Sequence, residues 1–131
     1  MSDWREETSL DLKDARLRIE AAIGSISGDP TEAQVRSIWL AYVWLEKSIV
    51  FIRLEIHEEN PGRFISAKAY RVPDERQALQ FALRNLVKGS ESFEAGAFGQ
   101  ALKELREARN YLRVLVKELW ARRNRARRQP G

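Results

Sequence analysis

Two long stretches of this chain place apolar residues at alternating steps of three and four. The first consists of Val35, Ile38, Tyr42, Leu45, Ile49, Ile52 and Ile56, and the second of Phe98, Ala101, Leu105, Ala108, Leu112, Leu115 and Leu119. An α-helix makes one turn in about 3.6 residues, so each set lies on one helical face. The sequence therefore predicts two long amphipathic helices whose apolar faces pack against other helices.

Start and stop signals divide the chain into four helices. Asp3 or Thr8 opens the first helix, whose apolar face runs from Leu12 to Ile26. Asp29 and Glu32 form a capping box, which predicts that the second helix extends from Pro30 to Glu59. Asp74 opens the third helix and Gly96 ends it, and the fourth continues from Phe98 into the final run of arginines. The expected fold is an all-α antiparallel four-helix bundle of two helical hairpins, with long helices 2 and 4.

The positive charge of the chain is concentrated at its C-terminal end. Residues 1 to 116 contain 17 Lys and Arg against 18 Asp and Glu, whereas residues 117 to 131 contain six against one. We expect a near-neutral bundle over residues 1–121 and a basic tail over residues 122–131. No residue of the apolar face lies beyond Leu119, so the tail should be dispensable for the bundle.

The arginine-rich composition of the tail predicts contact with the phosphates of nucleic acid, without readout of the bases. Its arginines are Arg122, Arg123, Arg125, Arg127 and Arg128. The alternative is a solvated cationic end that interacts favourably with the helix dipole. The connection between the second and third helices adds Arg63, Phe64, Lys68, Tyr70 and Arg71, a composition that single-stranded nucleic-acid binders use.

The second helix has a further apolar face, which we call the second stripe. It consists of Leu40, Val43, Trp44, Val50, Phe51 and Leu54. A patch of this size is seldom left uncovered on a small monomer, and aromatic residues are typical of interface centres. The second stripe predicts a homodimer interface. The alternative is a central helix covered by the other three helices and by the connection over residues 60–72.

A short region resembles two known families of helical hairpins. Gly89, Gly96, Phe98, Ala101, Leu105 and Ala108 have the spacing of a tetratricopeptide repeat, although Asn85 and Lys88 differ from that pattern. The same region is similar to the second hairpin of HEPN (higher eukaryotes and prokaryotes nucleotide-binding) domains. That resemblance implies a four-helix bundle, often dimeric and in many members RNA-cleaving, for which Arg53 and His57 would be the catalytic candidates.

The remaining sequence offers little chemistry. The chain has no cysteine, a single histidine and no glycine-rich phosphate loop, so we expect no enzymatic activity, no cofactor and no metal. It has no uninterrupted apolar run of about 18 residues, so we expect no membrane association and a cytoplasmic location. The predicted function is a helical interaction or assembly module that forms a homodimer. An RNA-cleaving HEPN-like or toxin–antitoxin-type protein is the alternative.

Overall fold

The computed structural model describes residues 3–58, 67–72 and 74–128. It contains four α-helices: α1 (Trp4–Ser25), α2 (Glu32–Glu55), α3 (Glu75–Glu94) and α4 (Phe98–Arg128). A short 3₁₀ helix, Ala67–Tyr70, lies between α2 and α3. The prediction of an all-α four-helix bundle with long second and fourth helices is confirmed.

The helices form a square in which each packs against two neighbours. The adjacent pairs are α1–α2, α2–α4, α4–α3 and α3–α1, so α2 and α3 are diagonal. Pairs of contacts show that these neighbours are antiparallel. Lys47 and Ser37 of α2 contact Glu7 and Arg18 of α1, in reverse order along the two helices. Glu46 and Glu32 of α2 likewise contact Arg109 and Arg123 of α4. Because α2 and α3 are both antiparallel to α4, they point in the same direction. The connection from the end of α2 to the start of α3 must therefore extend along the length of the bundle. The 3₁₀ helix belongs to this connection and packs on α4.

The core consists of the faces that the apolar spacing predicts. In α4 every predicted position from Ala101 to Leu119 is buried, and only Phe98 is partly exposed. In α2 the buried positions include Ile38, Leu45 and Ile52, whereas Ile56 is 37% exposed because the helix ends before it. Apolar burial of this kind is the main source of bundle stability.

The two ends of α2 differ from the prediction. Thr31 is the N-cap in place of Asp29: its Oγ1 accepts a hydrogen bond from the Gln34 amide at 3.1 Å, while the Gln34 side chain accepts one from the Thr31 amide at 2.8 Å. Both Asp29 and Thr31 have a suitable partner three residues later, and the helix uses the second pair. At the other end α2 stops at Glu55, four residues earlier than expected.

A Schellman motif ends α2. The His57 amide donates to the Leu54 carbonyl at 3.3 Å, and the Glu58 amide donates to the Arg53 carbonyl at 3.0 Å. His57 has φ 56°, a left-handed conformation in which a residue other than glycine is uncommon. Helix α3 ends in the same way, with Gly96 at φ 80°.

Candidate interaction surfaces

The second stripe of α2 remains partly uncovered in the monomer. Val50 is 50% exposed and Leu54 is 66% exposed. The other members, Leu40, Val43, Trp44 and Phe51, have intermediate exposure. Helix α3 does not cover this face, because it lies diagonally across the bundle, and the 3₁₀ helix packs on α4. The structure therefore leaves an apolar strip along the outside of α2.

Lys47 lies at the middle of the second stripe. Its ammonium group is 5.5 Å from the ring centroid of Trp44 and 5.8 Å from that of Phe51. The same group contacts Glu7 at 2.8 Å and Asp11 at 3.1 Å, and the hydrogen bonds to these carboxylates raise the pKa of Lys47. The lysine ammonium group thus lies over two aromatic rings, while two carboxylates of α1 neutralise its charge.

The arginine tail is partly integrated into the bundle. Helix α4 continues to Arg128, and Arg122 forms an ion pair with Glu75 of α3. Arg123 donates to the Pro30 carbonyl at 3.4 Å and lies 3.7 Å from Glu32. Arg125 is exposed, and the side chains of Arg127 and Arg128 lie outside the described part. The contacts of Arg122 and Arg123 were not expected from the sequence.

The connection between α2 and α3 does not present Tyr70 as a stacking ring. Tyr70 is only 8% exposed, its hydroxyl donates to Glu107 at 2.8 Å, and its ring packs edge-on against Tyr111. Burial raises the pKa of Tyr70. Arg71 pairs with Glu118 at 2.8 Å. Arg63 and Phe64 lie outside the described residues, as does the side chain of Lys68.

Arg53 and His57 do not share a helical face. The sequence-based interpretation extended α2 through His57, but the helix ends at Glu55 and His57 occupies an exposed turn. The Arg53 guanidinium lies 3.2 Å from the Glu58 carboxylate, which also pairs with Arg106 of α4. The Arg53 guanidinium is thus paired with a carboxylate, and His57 lies beyond the end of the helix.

Over residues 104–118, helix α4 separates its charges onto two sides, which apolar spacing does not predict. Its carboxylates Glu104, Glu107 and Glu118 point toward α3 and the connection, where they accept from Ser92, Tyr70 and Arg71.

Four cations in the middle of α4 lie along another side of the helix, from which Arg106 contacts Glu58 and Arg109 contacts Glu46. They are Arg106, Arg109, Arg113 and Lys117, spaced three to four residues apart along one line of the helix. Arg109 donates to Glu46 at 3.1 Å, and Arg109 and Arg113 both oppose the rise in the pKa of Tyr42 that burial causes. With Arg53 of α2 these four residues form a surface that we call the basic band.

A shallow groove between α1 and α3 has a volume of about 520 Å³. Its walls combine apolar Leu12 and Val87 with the charged ends of Lys13 and Glu91. Within residues 3–58, 67–72 and 74–128, no group of three or more potential ligands could hold a metal ion. None of the helices in this part of the chain is long and apolar enough to cross a membrane.

Comparisons with known protein families, with curated proteins and with solved structures found no match for this chain. The all-α bundle and its surfaces are therefore the basis for any functional assignment.

Proposed function

We propose that this protein is a non-enzymatic assembly module that forms a homodimer through α2, with nucleic acid as a second partner. The exposure of Val50 and Leu54 on the second stripe is the observation that carries the first part. An apolar strip on an otherwise polar helix surface is typical of a protein–protein contact. The lack of cysteine supports a reducing, cytoplasmic setting.

The second stripe is arranged symmetrically about Lys47. Leu40 and Leu54 lie seven residues before and after it, Val43 and Phe51 lie four residues away, and Trp44 and Val50 lie three residues away. In an antiparallel contact between two copies of α2, each residue would therefore face an apolar residue of the other copy. This self-complementarity is what an interface with two-fold symmetry requires, which favours a second copy of this chain over an unrelated partner.

The charge at the centre of this arrangement is compatible with a two-fold axis. Two copies of Lys47 would lie close to each other, but each is paired with Glu7 and Asp11 of its own chain. The dimer would therefore not bring together two uncompensated charges, which would be costly. A stable interface buries roughly 800 Å² on each partner, so α1 residues beside the stripe would also contribute.

Replacing Leu54 with arginine tests the dimer. The change places an unpaired charge in the proposed contact, so L54R should be monomeric at micromolar concentration while the wild type sediments as a dimer. Leu17→Arg is a matched control, because Leu17 of α1 is also a leucine with 66% exposure. A wild-type chain that sediments as a monomer would contradict the proposal.

The exposed end of α4 supports the second part, contact with nucleic acid. Arg125 is exposed and the helix continues past it to Arg128. Cations at a helix end of this kind suit phosphates and carry no base specificity. Removal of residues 125–131 should weaken binding. Because three arginines are lost, the negative slope of log affinity against log salt should become less steep by about two for a single strand.

A further inference from the structure

The basic band carries more positive charge than its own carboxylates can neutralise. Arg53 and Arg106 share the single carboxylate of Glu58, and Arg109 is paired with Glu46. Arg113 and Lys117 are exposed and form no ion pair with any described residue. Among the described residues, five cations therefore face two carboxylates, which leaves an excess of three positive charges on this part of the surface between α2 and α4.

Donor groups remain available along this surface. A guanidinium has five N–H donors in a planar fork that matches a phosphate, and each arginine of the basic band uses only some of them in the bundle. The side chains of Arg106 and Arg109 are each 24% exposed, so their outer edges reach solvent. From Arg106 to Lys117 the cations extend over roughly 17 Å of helix. This length suits a polyanion with repeated phosphates better than one small anion.

An exposed aromatic ring lies on α2 at the level of the basic band. Contacts of Glu46 with Arg109 and of Glu32 with Arg123 fix the antiparallel register of α2 and α4. Trp39 is midway between Glu32 and Glu46 on α2, and Val116 is midway between Arg109 and Arg123 on α4, so the two residues lie at the same height in the bundle. Val116 directly precedes Lys117 of the basic band. Trp39 is 44% exposed and does not belong to the second stripe. A large exposed ring on a cationic surface is a platform on which an unpaired base can stack.

We propose that the basic band and Trp39 bind single-stranded nucleic acid, with the phosphates on the cations and a base on the indole ring. This inference rests on nucleic acid as a partner and places its main contact between α2 and α4, with the end of α4 as a lesser contact. A single strand is favoured over a duplex because only unpaired bases expose their faces for stacking. Binding by this surface does not require the dimer.

Charge reversal tests the assignment. The probe is a fluorescein-labelled oligothymidylate of about 15 nucleotides, and the measurement is anisotropy at about 50 mM salt, where phosphate contacts are strong. The variant R113E/K117E should bind at least about tenfold more weakly than the wild type, because it reverses the two cations without partners in the described bundle. The control K13E/K88E changes net charge equally on α1 and α3 and should lose less than about twofold.

Four further variants complete the experiment. Trp39→Ala should weaken binding about fivefold or more, whereas Trp39→Phe should retain most of it, because a phenyl ring still stacks. A chain that ends at Asn124 should lose less affinity than R113E/K117E, because the end of α4 is the lesser contact, and L54R should bind like the wild type. Helical content from circular dichroism should be unchanged in all variants.

The outcomes separate this assignment from nucleic-acid binding in general. Equal losses of affinity in R113E/K117E and K13E/K88E would contradict the assignment of the basic band as the binding surface. Loss of binding only in the chain that ends at Asn124 would contradict it as well. In either case nucleic acid would remain a partner through another surface. A duplex of the same length that binds as tightly as the single strand would also overturn the assignment. A wild-type chain that does not bind the probe would contradict both the assignment to the basic band and the proposal that nucleic acid is a partner.

Discussion

His57 occupies at the end of α2 the position that Gly96 occupies at the end of α3. In both helices the last turn is closed by two amide donors, and the residue that follows has a positive φ. Glycine adopts this conformation without a steric cost, whereas a residue with a Cβ does not. Asparagine, aspartate and histidine are more tolerant than most, which explains why His57 is accepted there.

The two positions give opposite predictions for stability. His57→Gly should raise the free energy of unfolding by up to about 1 kcal/mol, because the strain at the left-handed residue is relieved. Gly96→Ala should lower it by about 1 kcal/mol or more. Urea denaturation followed by circular dichroism measures both. If H57G abolished an RNA-cleaving activity of the wild type, His57 would be catalytic and the non-enzymatic proposal would be wrong.

Single residues also show which helix ends the sequence predicts correctly and which it does not. The sequence predicts Asp3 or Thr8 as the start of the first helix and Asp74 as that of the third, and the N-caps are Asp3 and Asp74. The start of α2 was wrong by two residues, because Asp29 and Thr31 each satisfy the capping pattern and local sequence does not choose between them. Its end was wrong because a Schellman motif at His57 carries no glycine to mark it.

At the scale of elements, α3 and α4 approach each other closely at Gly89. A Cβ built on Gly89 would lie 2.6 Å from Cδ2 of Leu105 and 3.3 Å from its backbone nitrogen. Leu105 is fully buried, so its side chain has little room to move. The small residue that the sequence analysis noted at this position therefore sets the distance between the two helices.

Replacing Gly89 with alanine should destabilise the bundle. Overpacking at the Leu105 contact should cost about 1–3 kcal/mol, which exceeds the gain of up to about 1 kcal/mol from alanine in a helix. Gly99→Ala in α4 is the matched control, because nothing lies within 4 Å of a Cβ at that position. G99A should be neutral or stabilising in thermal unfolding. Similar effects of the two changes would mean that the approach at Gly89 does not constrain the packing.

The apolar faces of the helices were predictable, but the charge separation on α4 was not. Burial follows a period of 3.6, so the core positions from Ala101 to Leu119 follow from spacing alone. The environment of Arg106 or Lys117 depends on which element packs on each side of α4. The sequence does not state that α2 lies on one side and the α2–α3 connection on the other. For the same reason the exposure of Val50 and Leu54 could be suspected but not established.

At the scale of the whole molecule, long-range polar contacts fix how the two hairpins meet. Arg109 and Glu46 link α4 to α2 across the bundle, and Arg76 of α3 donates to the carbonyls of Ile23 and Ile26 at the end of α1. These contacts agree with the antiparallel packing and with a connection that crosses the length of the bundle. A pattern of apolar residues predicts that helices pack, but it does not specify which polar side chains select the register.

The contacts of Arg122 and Arg123 predict that the tail has two parts with different roles. A chain that ends at Ala121 loses the links to Glu75, Glu32 and Pro30, whereas a chain that ends at Asn124 retains them. Partly exposed ion pairs contribute about 0.2–1 kcal/mol each, so the shorter chain should be less stable by about 0.5–2 kcal/mol in urea.

The longer truncated chain should unfold like the full-length protein. The full-length variant R122Q/R123Q should reproduce the loss seen in the shorter chain, which separates the ion pairs from the effect of removing residues. The difference between the two truncated chains should shrink at about 1 M salt, where exposed charges are screened within about 3 Å. Equal stability of the two truncated chains at low salt would show that the bundle ends at residue 121 and that all five arginines form a solvated tail.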